Sequence, residues 1–112
     1  MLSIQLTTPL SKDFFEAVSL RKQTSPNKIN YLKEQKYITF VARYQQQIVG
    51  TASLQIFTNS MGRIREIAVT PDFENKFVEQ RLIRFIEDFL TNRNSGNRPI
   101  LFGKKAYLTQ AV

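Results

Sequence analysis

Glu66 sits in a short apolar run of a chain that has few other means of moving a proton. The sequence of 112 residues contains no His, no Cys and no Trp. That removes Ser-His relays, imidazole metal ligands, thiolate zinc sites and cysteine nucleophiles. Catalysis here falls to carboxylates, Lys, Tyr, Ser or Thr hydroxyls and backbone amides. Neither an EF-hand loop pattern nor a His-Glu-x-x-His pattern is present, so no metal is expected. Two segments carry the most pattern: Ile48-Val49-Gly50-Thr51-Ala52-Ser53-Leu54 and Glu66-Ile67-Ala68-Val69-Thr70-Pro71. The second runs into Asp72-Phe73-Glu74-Asn75-Lys76-Phe77-Val78-Glu79 and a long amphipathic stretch. The start of a helix presents N–H groups without intrahelical partners and the positive end of a dipole, which suits an anion.

The elements that must position these residues can be read from periodicity. Ser3 to Thr7 alternates and predicts a short strand ended by Thr8-Pro9. Ser11 offers an N-cap to a helix carrying Phe14, Phe15, Val18 and Leu20, with Arg21 and Lys22 near its far end. Residues 28–36 are polar and basic, and read as a short second helix or a loop. Tyr37–Tyr44 and Ile48–Phe57 are rich in β-branched and aromatic residues and predict a hairpin, although Gln45-Gln46-Gln47 carries no Gly or Asn-Gly turn signal. Ile64–Val69 is a further strand, with Ile64, Glu66 and Ala68 expected on one face and Ile67 and Val69 on the other. Thr70 as N-cap and Pro71 at the first helical position would open the long helix early. Phe77, Val78, Leu82, Phe85, Ile86, Phe89 and Leu90 form its apolar stripe, and Phe77 is expected to pack inward. Pro99–Phe102 reads as a last strand. The order β-α-(α)-β-β-β-α-β describes a single α+β domain over residues 1–112.

Charge adds a bias toward anionic partners. The net charge is +7, and Arg21, Lys22, Lys28, Lys33 and Lys36 concentrate the excess in the first half. No stretch approaches the roughly 18 apolar residues needed to span a membrane, and the start lacks a signal-peptide pattern. A cytoplasmic location and no membrane partner are the corresponding expectations. Phe40, Tyr44 and Phe57 lie on predicted strands, where aromatic residues serve a core more readily than a base-stacking platform.

With these residues in place, the chain resembles the GCN5-related N-acetyltransferases (the GNAT family). Val49-Gly50-Thr51-Ala52 is similar to that family's third strand, and Glu66-Ile67-Ala68-Val69-Thr70-Pro71 to its fourth. The resemblance spans residues 1 to about 102 in the family's element order, and it implies a GNAT-like mixed sheet and an acetyl-CoA cofactor. It also implies that Glu66 is the base for the incoming amine, and that Tyr107 is the only tyrosine able to stand in for the family's general acid. The backbone at Ala68 and Val69 would polarise the thioester carbonyl, and residues 74–79 would hold the pyrophosphate.

The cofactor loop departs from the family pattern. Aligned without a gap from Val69, Glu74 falls where the family has Arg or Gln. Asn75, Phe77 and Glu79 fall on its small or glycine positions, with Lys76 and Val78 between them. A carboxylate about 4 Å from a phosphate is unfavourable by about 1 kcal/mol in water and about 4 kcal/mol at an effective dielectric of 20. The family's segments beyond its fifth strand are missing from the pattern, so the fold reads as C-terminally truncated, with residues 99–102 as an unprotected edge that invites a homodimer. The sequence alone therefore points to a degenerate cofactor site and a non-catalytic module that binds a protein, nucleic acid or other anionic partner. The alternative is an N-acyltransferase moving an acetyl group from acetyl-CoA to an amine, and a second alternative is an unrelated basic nucleic-acid-binding domain.

Overall fold

In the computed structural model, which describes residues 2–8, 10–24, 30–70 and 75–103, five strands form one sheet and three helices cover parts of it. The chain runs β1 (Leu2–Leu6), α1 (Lys12–Thr24), α2 (Tyr31–Glu34), β2 (Ile38–Tyr44), β3 (Gln47–Thr58), β4 (Met61–Val69), α3 (Asn75–Arg93) and β5 (Ile100–Phe102). The strands lie in sequence order, β1-β2-β3-β4-β5. Neighbours are antiparallel through β4, and β5 is parallel to β4. That last pairing requires a crossover, which α3 supplies. The expected order and the mixed α+β sheet are both present.

Local chemistry accounts for most of these boundaries. Ser11 caps α1, its hydroxyl accepting from the Phe14 N–H at 3.2 Å. Asn30 does the same for α2, accepting from the Leu32 N–H at 2.7 Å. β4 begins at Met61, ahead of the expected Ile64, because Asn59-Ser60 already turns the chain and the first three residues of β4 pair with β5.

The α3 helix lays Val78, Leu82, Ile86 and Leu90 on one face of the sheet, against Phe40, Ala42, Ala52, Leu54, Ile64, Ile67 and Val69. The Phe40 ring meets Phe85 and Phe89 edge-on, with centroids 5.8 and 5.5 Å away. Gly50 explains why Val49 is followed by the smallest residue. A Cβ there would stand 2.7 Å from Val78 Cγ1 and 3.3 Å from Leu82 Cδ1, so any side chain would push α3 off the sheet. On the opposite face α1 turns Phe14, Ala17, Val18 and Arg21 inward. This corrects the expected helix face, because Phe15 is exposed and Arg21, assigned to the basic surface, is fully buried. Phe57 is likewise exposed rather than core.

The β2–β3 hairpin closes through Gln45 and Gln46, both at positive φ (52° and 69°). A two-residue turn of this kind matches the twist of the strands but penalises any side chain other than that of Asn, Asp or Gly. The Arg43 guanidinium donates to the Gln46 carbonyl at 3.2 Å, and Arg43 also pairs with Asp13 of α1. Gln45→Asn with Gln46→Gly is expected to raise stability by about 1 kcal/mol. Urea unfolding should show a higher midpoint with an unchanged slope, and a lower midpoint would show that the glutamines make compensating contacts.

Candidate active site

The apolar pattern of β4 cannot be satisfied by a regular strand. Ile64 and Ile67 are three residues apart, and both are nearly fully buried in the core under α3. Period-two alternation would send them to opposite faces. The strand resolves the conflict with a bulge. Ser53 pairs with Glu66 and Leu54 with Ile64, so Arg65 is one residue too many. Ile64 therefore joins Ile67 and Val69 on the α3 face, and Glu66 and Ala68 take the other. This corrects the expectation that Ile64, Glu66 and Ala68 share a face. The spacing of Ile64 and Ile67 was the available signal.

On the α1 face Thr39, Ser53 and Glu66 form one row across three strands. Glu66 is only 7% exposed. Above this row lies Arg21 at 0% exposure, with its Nη1 donating to Glu34 Oε1 at 2.5 Å and its Nη2 to Thr39 Oγ1 at 3.4 Å. Burial lowers the Arg21 guanidinium from its ordinary range, against the opposing pull of Glu34 and then of Glu66. The charge facing Glu66 is thus Arg21, from a helix far away in sequence. The partners suggested by proximity in sequence or sheet, Arg65 and Arg43, are engaged elsewhere, Arg65 over the Tyr37 ring and Arg43 with Asp13. Thr51 of the adjoining row donates its hydroxyl to the Phe40 carbonyl at 2.8 Å, which satisfies another buried polar group.

The other edge of β4 is open along most of its length. β5 pairs only with Met61, Gly62 and Arg63. Gly103 then ends the contact at positive φ (73°), where a Cβ would stand 2.4 Å from the Ile64 carbonyl oxygen. From Ile64 to Val69, β4 has no strand on this side among the described residues. The direction of its peptide groups follows from the ladder. Thr70 donates its N–H to the Val49 carbonyl at 2.9 Å, and alternation from that point turns the peptide groups of Ala68 toward Thr51. Those of Val69 and Ile67 point outward into the gap. Of the two amides expected to polarise the thioester carbonyl, that of Val69 points into the gap and that of Ala68 toward Thr51, while the Ile67 amide also points into the gap.

The start of α3 lies just beyond Val69 and Thr70. Glu74 and the expected Thr70-Pro71 helix start fall at or next to residues 71–74, outside the described residues, as does Tyr107. Asn75 and Lys76 open α3, whose first turn is the positive end of its dipole. Val78 is fully buried against Gly50. Phe77, expected to pack inward, is 46% exposed, because Val78 rather than Phe77 is in phase with Leu82, Ile86 and Leu90. The Arg81 guanidinium lies 5.6 Å from the Phe77 ring centroid and brings positive charge to this end of the helix. Glu79 is half-buried on the next position.

Among the described residues no group of three or more acidic side chains is placed to hold a metal ion, and no helix is long and apolar enough to cross a membrane. The β5 edge is short and carries exposed Ile100 and Phe102.

A sequence model of the acetyltransferase (GNAT) family matches residues 5–106. No curated protein sequence matches the chain. Solved structures do. The ribosomal-protein-S18-alanine N-acetyltransferase of Escherichia coli superposes with a TM-score of 0.68 at 17% identity, covering 83% of this chain and 61% of that one. A GNAT family acetyltransferase from Elizabethkingia anophelis, with acetyl-CoA bound, gives 0.63 at 21% identity, covering 82% and 59%. Ard1 from Thermoplasma volcanium gives 0.67 at 16%, covering 83% and 66%. At these identities the likeness establishes the fold. The chain spans about three fifths to two thirds of the length of these relatives.

Proposed function

This chain belongs to the acetyltransferase (GNAT) family, and on that premise we propose that it is an N-acyltransferase moving an acetyl group from acetyl-CoA to an amine. The observation that carries the reading is the open β4 edge, with the outward peptide groups of Ile67 and Val69 beside the buried carboxylate of Glu66. Family membership sets aside the reading as an unrelated basic domain.

When bound, acetyl-CoA would supply an activated thioester, and the amides of its arm match the hydrogen-bonding groups of an open strand edge. Ile67 and Val69 would hold such an arm through backbone hydrogen bonds, whose N–H donors only a substitution by proline would remove. The Val69 N–H, or that of Ile67, polarises the acyl carbonyl. Glu66 takes the proton lost by the attacking amine. The bond made joins the amine nitrogen to the acyl carbon, the bond broken is the thioester C–S, and the thiolate leaves as a thiol with a proton from Tyr107 or water. The N–H groups of Asn75 to Phe77, at the positive end of a 19-residue helix, would receive the phosphates.

The glycines missing at Asn75, Phe77 and Glu79, and the carboxylate of Glu74, weaken the phosphate grip without touching the β4 edge. This is why the acyltransferase reading is preferred to a non-catalytic module. Lost glycines lower affinity, whereas loss of the edge would abolish the site. A weak acetyl-CoA complex is the expected result, seen as a rise in melting temperature at millimolar ligand together with thiol release in the presence of an amine. Glu74→Arg should tighten binding about tenfold by calorimetry. No stabilisation and no thiol release at millimolar acetyl-CoA would return the chain to the binding-module reading.

A further inference from the structure

The β4 bulge places Arg65 beside Glu66, both opposite Ser53 and both on the face turned away from α3. The next row of that face holds Gln55, Arg63 and Phe102. Three points along one face of β4 are therefore a carboxylate and two guanidiniums. The α1 helix packs over β4 on the side where Glu66 is buried, while Arg63 and Arg65 stay exposed. Glu66 thus stands where the covered half of the face gives way to an open, basic half.

The guanidiniums are available for a ligand. Among the described residues neither Arg63 nor Arg65 makes an ion pair, while Arg21 is engaged by Glu34 and Arg43 by Asp13. Arg65 is also held in place, its guanidinium carbon 5.6 Å from the Tyr37 ring centroid. A cation resting on a ring keeps its N–H donors free at the plane edge for a planar anion. Lys36, exposed and next in sequence to the Tyr37 on which Arg65 rests, adds to the positive field.

We propose that the acceptor is an amine carrying a carboxylate within about one residue of the nitrogen, with the nitrogen at Glu66 and the carboxylate on Arg63 and Arg65. This rests on the acyltransferase reading and names its substrate class. The spacing suits it, since consecutive same-face rows of a strand are about 6.6 Å apart and an arginine fork reaches across that distance. The same field repels a polyamine or a lysine-rich peptide. A free acidic amino acid and a peptide with an acidic N-terminal residue present the same chemistry, and separate assays distinguish them.

The test is thiol release from acetyl-CoA by the full chain with five acceptors: glutamate, an Asp-Glu-initiated peptide, glutaminamide, an Ala-Gln-initiated peptide and spermidine. One or both acidic acceptors should exceed their neutral counterparts by roughly tenfold or more in kcat/KM, with spermidine slowest. Arg63→Gln with Arg65→Gln should bring the acidic-to-neutral ratio near one, chiefly through KM. Arg65→Glu should reverse the order in favour of spermidine. Equal use of acidic and neutral amines by the wild type, or a ratio unmoved in the double variant, overturns the assignment while leaving the acyltransferase reading in place. Turnover of none of the five, with no acetyl-CoA binding, overturns both.

Discussion

Arg21→Ala is expected to destabilise the fold by about 3–5 kcal/mol, because it leaves the carboxylates of Glu34 and Glu66 under α1 without the guanidinium that faces them. Against a total of about 5–15 kcal/mol for a domain of this size, that is enough to bring the chain close to unfolding at ambient temperature. Three losses add together. The ion pair to Glu34 disappears, Thr39 loses a donor, and the space of a large fully buried side chain is emptied. Urea denaturation measures the effect directly. A shift below about 1 kcal/mol would mean that water enters and solvates both carboxylates. The comparison with Glu34→Gln is instructive, since removing both partners should cost less than the sum of the single losses. A coupling of about 1–3 kcal/mol is expected for a contact this close. The pair also ties α2, a helix of only four residues, to the rest of the domain. A helix that short has no stability of its own.

Glu66→Gln is expected to have the largest effect on acyl transfer. If the carboxylate takes the amine proton, kcat falls by about 10²–10⁴. The KM for acetyl-CoA should hardly move, because the β4 edge proposed to receive it presents backbone rather than side chains. Glutamine keeps the size and much of the polarity, so the fold should survive, and a circular dichroism spectrum matching the wild type verifies it. The remaining activity should rise with pH as more of the acceptor is deprotonated in solution. A kcat within threefold of wild type would remove Glu66 from the reaction and leave it as a counter-charge to Arg21.

The helices and strands were legible because each depends on neighbours close in sequence. Ser11 announces α1, and Val78, Leu82, Ile86 and Leu90 announce the buried side of α3. The family motifs also rest on short stretches, and Gly50 is now explained by the approach of Val78 and Leu82. What escaped depends on pairs far apart. Arg21 looks like a cation favourably placed at a helix end, and only the fold brings Glu34 and Thr39 around it. Phe77 and Val78 are both apolar and adjacent, so the helix phase that exposes one and buries the other comes from the sheet beneath. The Arg65 bulge is a property of register with β3, invisible in β4 alone except as the unusual spacing of Ile64 and Ile67. The hairpin at Gln45-Gln46 carried no turn signal because its residues are poor choices for the conformation they adopt.

The bulge bears on how this strand tolerates change in length. Removing one residue from a central strand ordinarily inverts every side chain beyond the gap, which a buried sheet cannot survive. Arg65 is the exception. Without it, Ile64 would still stand opposite Leu54 and Glu66 opposite Ser53, in a ladder that is now regular. The core facing α3 would be unaltered, while the extra local twist would relax and the guanidinium beside Glu66 would be gone. A one-residue deletion would thus separate what holds the domain together from what shapes its open face, and β4 offers that separation at Arg65.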